Sequence, residues 1–239
     1  MAAFEEAISA GADFLELDLH LNRDGIPVVI HDATITNALY RRKDGKKISS
    51  PIPVSSLSTV DLKEFDAGAI QNNRFPSQKT VPGQIIPTLE DLLIRLMGRG
   101  ALNVEIKREG PEPSAENLAS AVVETLKIYP NPWKHQLQSF DLEVMEQLRR
   151  FAPHSTRSAL FEKPCDFITE SQRVGATMIG PYFEFLSEDL IRATHVAGLK
   201  VVPWTVNDPR DWERLIAWEV DGLITDYPRR LKEFLRSKT

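Results

Sequence analysis

Short apolar runs of strand length recur along the chain, separated by longer amphipathic or acid-rich segments. The runs are FLELDL (14–19), VVIH (28–31), NVEIK (103–107), QLQSF (136–140), SALF (158–161), TMIG (177–180), KVVPWT (200–205) and GLIT (222–225). Strand–helix–strand order at roughly 25–40 residue spacing demands crossover helices and a parallel sheet. Helix starts are readable between the runs: Thr88, Ser114 and Ser187 each precede an acidic first turn, and Asp208 precedes Pro209. Gly11 and Gly198 stand where a left-handed helix terminator is wanted. GIPVVIHD follows FLELDLHLNRDG through an Arg-Asp-Gly turn and reads as a hairpin return. Setting it aside leaves seven parallel strands, one short of a closed barrel. The expectation is therefore an α/β barrel of eight strands whose first strand is missing from the N-terminus of a truncated chain.

Residues 33–87 interrupt this rhythm. The stretch is polar, and a segment that long inside a compact domain predicts a functional loop or a small subdomain inserted after the second strand. Its basic run RRKDGKK (41–47) reads as a solvated turn about Asp44-Gly45. No composition break divides the 239 residues, so a single barrel domain is expected. Hydrophobic residues at 42% and charged residues at 26% exclude a disordered chain. A net charge of −5 gives no basic footprint for nucleic acid. No apolar run approaches the ~20 residues of a membrane span. The first residues lack the basic start of a signal peptide, and Cys165, the single cysteine, cannot form an internal disulfide. These features predict a cytoplasmic protein.

The chemistry lies in the alternation of two strands. In FLELDL, Glu16 and Asp18 share one face with Phe14, while Leu15, Leu17 and Leu19 take the other. With the leucines packed under helices, both carboxylates point toward the barrel axis. NVEIK repeats the pattern with Glu105 and Lys107. Anions aimed at an interior cost several kcal/mol each unless neutralised. A hard divalent cation held by oxygen ligands neutralises them, and the C-terminal rim of a parallel barrel is where such sites form. A structural ion-pair network, for instance Lys107 with Glu16, would serve as well, and both readings stay open. His31 is either part of this rim or a hydrogen-bonded histidine closing its strand. His20, His135, His154 and His195 show no zinc spacing, and His195 reads as a surface residue on a helix.

Together the segments AAFEEAISAGADFLELDLHLNRDGIPVVIHD, LNVEIK, QSFD, VVPWTVND and DGLITDYP resemble the glycerophosphodiester phosphodiesterase family in order and spacing, over nearly the whole chain. The resemblance implies a TIM-type barrel that hydrolyses a small-molecule glycerophosphodiester to glycerol 3-phosphate and an alcohol, using a divalent cation, Ca²⁺ or Mg²⁺. By motif, Glu16, Asp18 and Glu105 match metal ligands and His31 one of two catalytic histidines. Lys107 matches a phosphate-side contact and Trp204 an aromatic at the substrate pocket. The family's first strand carries a His-Arg-Gly motif followed by a Pro-Glu-Asn-Thr turn, and neither occurs here. Activity of the chain as given is therefore expected to be impaired. Two alternatives are a non-catalytic or inactive barrel fragment that binds metal or phospholipid headgroups, and a sphingomyelinase D-like lipase. The extracellular setting and disulfides of the latter fit poorly with one cysteine.

Overall fold

In the computed structural model, which describes residues 1–128 and 131–238, the strands form an α/β barrel sheet. Helix α1 (Ala2–Ala10) stops at Gly11, whose φ of 80° lets the Gly11 and Ala12 amides close back on the carbonyls of Ile8 and Ala7. Strand β1 (Phe14–Leu21) follows and returns through β2 (Pro27–Val29), antiparallel to it with Leu19 opposite Val29. The hairpin turn is built by Asn22, whose Oδ1 accepts from the Asp24 and Ile26 amides, with Gly25 at φ 72°. From β1 the sheet continues in parallel through β3 (Ala101–Ile106), β4 (Gln136–Ser139), β5 (Thr156–Phe161), β6 (Met178–Pro181) and β7 (Lys200–Val201).

The crossover helices are α2 (Leu89–Leu96), α3 (Ala115–Leu126), α4 (Leu142–Phe151), α5 (Phe167–Arg173), α6 (Glu188–Val196) and α7 (Pro209–Ala217). A last helix, α8 (Pro228–Lys238), lies near α1, and Arg229 bonds Glu6 across that contact. Thr88, Ser114, Ser187 and Asp208 all cap their helices as expected, and Thr88 with Asp91 forms a reciprocal capping box. Leu15, Leu17 and Leu19 are 1–3% exposed and join Leu89, Leu92, Leu96, Leu118 and Val122 in the layer between sheet and helices. Burying each leucine contributes roughly 1.5–3 kcal/mol, which fixes the register that turns Glu16 and Asp18 the other way.

The last two expected strands need correction. Regular pairing with β6 ends at Val201, although Val202 N–H still donates to Ile179 O (3.0 Å) and Trp204 forms an isolated parallel bridge with Tyr182. Pro203 has no N–H to donate toward residues 222–225, which form no regular strand. The run still follows β7: Asp221 N–H donates to Val201 O (2.9 Å), Ile224 N–H to Pro203 O (3.0 Å) and Val206 N–H to Ile224 O (2.8 Å). Among the described residues no hydrogen bond joins this run to β1, so the ladder stays open between them.

Residues 33–87 carry their own small core, in which Ile35, Tyr40, Ile48, Val54, Leu62 and Phe65 pack with Val28 and Ile30 of the hairpin. Two short antiparallel pairs hold it, Thr34–Ile35 with Ile52–Pro53 and Arg41–Arg42 with Phe65–Asp66. The basic run is a solvated turn: Arg42 clasps Asp44, Gly45 takes φ 77°, and Arg41, Lys43, Lys46 and Lys47 are exposed.

At the start of β4, His135 is 1% exposed, and its Nδ1 accepts the Leu102 amide at 3.0 Å, which requires the neutral ring. Burial, reinforced by the Lys134 charge, pushes its pKa down from 6.5 to about 4. A histidine held neutral in the fold contributes stability that is complete above the unfolded pKa and is lost as pH falls toward the folded one. The loss integrates to about 3 kcal/mol. Urea midpoints should therefore drop between about pH 7 and pH 4, and His135→Gln, whose amide oxygen can accept the same bond, should remove that part of the slope. A variant with an unchanged slope would assign the acid sensitivity to other groups.

Candidate metal centre

The inward face of β1 and that of its neighbour β3 meet in register, with Asp18 opposite Glu105 and Glu16 opposite Asn103. Three carboxylates converge there. One oxygen each from Glu16, Asp18 and Glu105 lies within 4.8 Å of the others. Lys107, just past the end of β3, is fixed by the hydrogen bond its backbone N–H donates to Leu19 O (3.0 Å) and brings its ammonium to Glu105 Oε1 (2.9 Å) and Asp18 Oδ1 (3.2 Å). The ion-pair alternative is thus realised with Asp18 and Glu105 as the partners of Lys107, not Glu16. Glu16 is held instead by Gln138, whose Nε2 donates to Glu16 Oε1 at 3.2 Å.

Three carboxylates against one ammonium leave two formal negative charges at one point. The crowding acts on Glu16 and on Glu105. Dehydration by the surrounding protein, then the charges of Asp18 and Glu105, push the Glu16 carboxyl well above the usual range, against the pull of Lys107 and Gln138. Glu16 stands on the open side of the ladder and keeps solvent contact, which moderates that push. Glu105 is raised by burial, Lys107 opposing and Asp18 adding. Burial works to lower Lys107, but its two carboxylates outweigh it and hold the ammonium above its ordinary value. An all-oxygen donor set with two surplus negative charges fits a hard divalent cation.

His31 stands at the rim. Its side chain is exposed, and its Nδ1 is 2.7 Å from Asp32 Oδ1. His20 is buried and turned inward, its Nε2 3.1 Å from the His31 carbonyl oxygen, where it anchors the backbone of the rim histidine. Trp204 lies on the far wall, after β7. Its indole N–H donates to Gly180 O (2.8 Å), Phe140 meets it edge-on at 5.3 Å, and Tyr182 lies 5.6 Å away. Glu16, Asp18, Glu105 and Lys107 are thus brought into direct contact range, His31 flanks them, and Trp204 makes no direct contact with the carboxylates.

Gln138 and Asn103 were not singled out from the sequence. Asn103 Nδ2 donates to Gln138 Oε1 at 3.0 Å, and both residues are buried. The alternation of QLQSF does place Gln138 on the inward face, but an amide carries no charge to draw attention to it.

A family model for the glycerophosphoryl diester phosphodiesterase family matches residues 1–230. A glycerophosphodiester phosphodiesterase of Bacillus subtilis (strain 168) is 29% identical over 240 residues, covering 95% of this chain and 78% of the relative. A solved structure from Silicibacter pomeroyi DSS-3, assigned to glycerophosphoryl diester phosphodiesterases, is 28% identical with a TM-score of 0.92, covering 98% of this chain and 87% of that one. A phosphodiesterase of Oleispira antarctica, solved with the product sn-glycerol-3-phosphate, shares the fold at 22% identity and a TM-score of 0.83, covering 98% and 90%. No helix among the described residues is long and apolar enough to cross a membrane.

Proposed function

Because the chain belongs to the glycerophosphoryl diester phosphodiesterase family, we propose that it cleaves glycerophosphodiesters to glycerol 3-phosphate and an alcohol. The observation that carries this reading is the meeting of Glu16, Asp18 and Glu105 beside Lys107, where the end of β3 lies against the middle of β1. The three carboxylates would hold a divalent cation, Ca²⁺ or Mg²⁺. Held there, it would supply positive charge to the phosphoryl group and would lower the pKa of a nucleophile. Lys107 adds its ammonium to the phosphoryl oxygens. Asp32 accepts the Nδ1 proton of His31, which leaves Nε2 as the nitrogen that exchanges a proton with the reacting oxygens. Trp204, its ring fixed by Gly180 and Phe140, forms an aromatic wall of the substrate pocket. The unpaired Cys165 supports a cytoplasmic setting as part of this proposal.

Hydrolysis forms one P–O bond and breaks another. A proton leaves the nucleophile and a proton reaches the departing alkoxide, and two positioned groups do this work best. Among the described residues His31 is the exposed imidazole at this rim, since His20 is buried with its Nε2 on the His31 carbonyl oxygen. That observation favours a second reading, a barrel that binds cation and phosphodiester with little turnover. The test is release of glycerol 3-phosphate from glycerophosphocholine by the 239-residue chain, after chelation and then with added Ca²⁺ or Mg²⁺. The expected result is cation-dependent release, slowed by roughly 10²–10⁴-fold relative to an enzyme with a complete acid–base pair. Cation binding without release would establish the second reading. Release that is indifferent to chelation would overturn the metal-assisted mechanism.

A further inference from the structure

Glu16 is the member of the carboxylate group that Lys107 does not touch. It lies on the open side of the ladder in contact with solvent, and it faces the like charges of Asp18 and Glu105. A long side chain in that position is free to swing away from its neighbours. What opposes the swing is a relay of buried amides: Asn103 Nδ2 donates to Gln138 Oε1 at 3.0 Å, and Gln138 Nε2 donates to Glu16 Oε1 at 3.2 Å. Asn103 and Gln138 are 4% and 2% exposed, on the inward faces of the adjacent strands β3 and β4.

The two ends of the Gln138 amide are engaged by groups of opposite character. Flipping it would set its carbonyl oxygen against a carboxylate and its NH₂ against the Asn103 NH₂. Its orientation is therefore determined, and with it the oxygen of Glu16 that is taken. The arrangement is costly as a packing device. Two buried amides replace what apolar side chains could fill, and Asn103 Oδ1 is left without a hydrogen-bond partner. A relay that tolerates an orphaned oxygen and ends on Glu16 serves that carboxylate.

We propose that Gln138, oriented by Asn103, is a positioning residue of the cation site: it holds one oxygen of Glu16 and so presents the other toward Asp18 and Glu105. The proposal rests on the reading that Glu16, Asp18 and Glu105 bind a divalent cation. Hydrogen-bond partners of ligands typically tune metal affinity by about 10–100-fold.

The test uses the full chain, titrated calorimetrically with CaCl₂ and separately with MgCl₂, and melted in chelator and at a fixed cation concentration. Gln138→Met keeps the length and bulk of the side chain and removes the donor. It should weaken cation binding by roughly 10–100-fold and shrink the rise in melting temperature that the cation produces. A purely structural amide would lower both melts together with affinity unchanged, and that result overturns the proposal. If Gln138→Met does not fold, Asn103→Leu carries the test. Gln138 is then present but unoriented, affinity should fall several-fold, and unchanged affinity overturns the proposal. A wild-type chain that binds neither cation would remove the cation site itself, and the positioning role with it. A wild type that binds beside variants that bind equally well would remove the positioning role alone.

Discussion

Replacing His31 by alanine is expected to lower glycerophosphodiester hydrolysis by roughly 10²–10⁴-fold while leaving cation affinity nearly intact. The two readouts separate because His31 meets the carboxylate group only at its edge. Its side chain is exposed at the rim, its Nδ1 is engaged by Asp32, and none of its atoms belongs to the set of oxygens within 4.8 Å. Loss of the ring removes the proton-exchanging Nε2 without taking a ligand away. His31→Gln should behave like the alanine variant, since an amide can hydrogen-bond Asp32 but cannot trade a proton near neutral pH. If either variant retained most of its turnover, another group would have to carry the proton, and the Asp32-bound imidazole would be only a strand terminator. A large loss of cation affinity would instead place His31 among the ligands.

Much of this site could be read from alternation alone. Leucines at 15, 17 and 19 sort to the helix side because burial of three such side chains outweighs any competing preference of the strand. Glu16 and Asp18 then have only the inward face to take, and Glu105 joins them because β3 pairs with β1 in matching register. Helix starts were equally readable, since Ser, Thr and Asp caps act locally and need no tertiary partner. The resemblance to the phosphodiesterase family added roles for Lys107, His31 and Trp204 that no periodicity supplies.

What escaped the sequence depended on distant partners. Whether Lys107 pairs with Glu16 or with Asp18 is decided by where the chain places β3 against β1, and the result was Asp18 with Glu105. The Gln138 relay joins residues 122 positions apart, and neither amide differs in type from a surface one. Residues 222–225 look like a strand by composition, but pairing with β7 weakens at Pro203, and three hydrogen bonds along the edge do not make a regular ladder. The small core of residues 33–87 draws on Ile35, Ile48, Val54 and Phe65, which follow no helical or strand period over that stretch.

The alternatives that the sequence left open, cation site or structural ion pair, make opposite predictions for Glu105→Gln. Glu105 is buried, lies 2.9 Å from Lys107, and has its carboxyl held above the usual range by burial. The amide keeps the shape of the side chain, and its oxygen can still accept from Lys107, while Asp18 at 3.2 Å continues to balance that ammonium. If the group is a cation site, one of three charged ligands is lost, and affinity for Ca²⁺ or Mg²⁺ should fall by at least about 100-fold, since even an outer partner of a ligand is typically worth 10–100-fold. In chelator the same variant should be at least as stable as the wild type, gaining on the order of 0.5–1 kcal/mol from relief of crowded like charges. If Glu105 instead serves as the structural partner of Lys107, the chelated protein should lose stability, on the order of 1 kcal/mol, because a charge-assisted pair becomes a bond to a neutral acceptor while Asp18 still balances the ammonium. Its response to added cation would then be unchanged. Calorimetric titration together with melts in chelator and in excess cation distinguishes the two. A variant that melts higher without cation and binds it poorly is the signature of residues retained for binding at the expense of the fold.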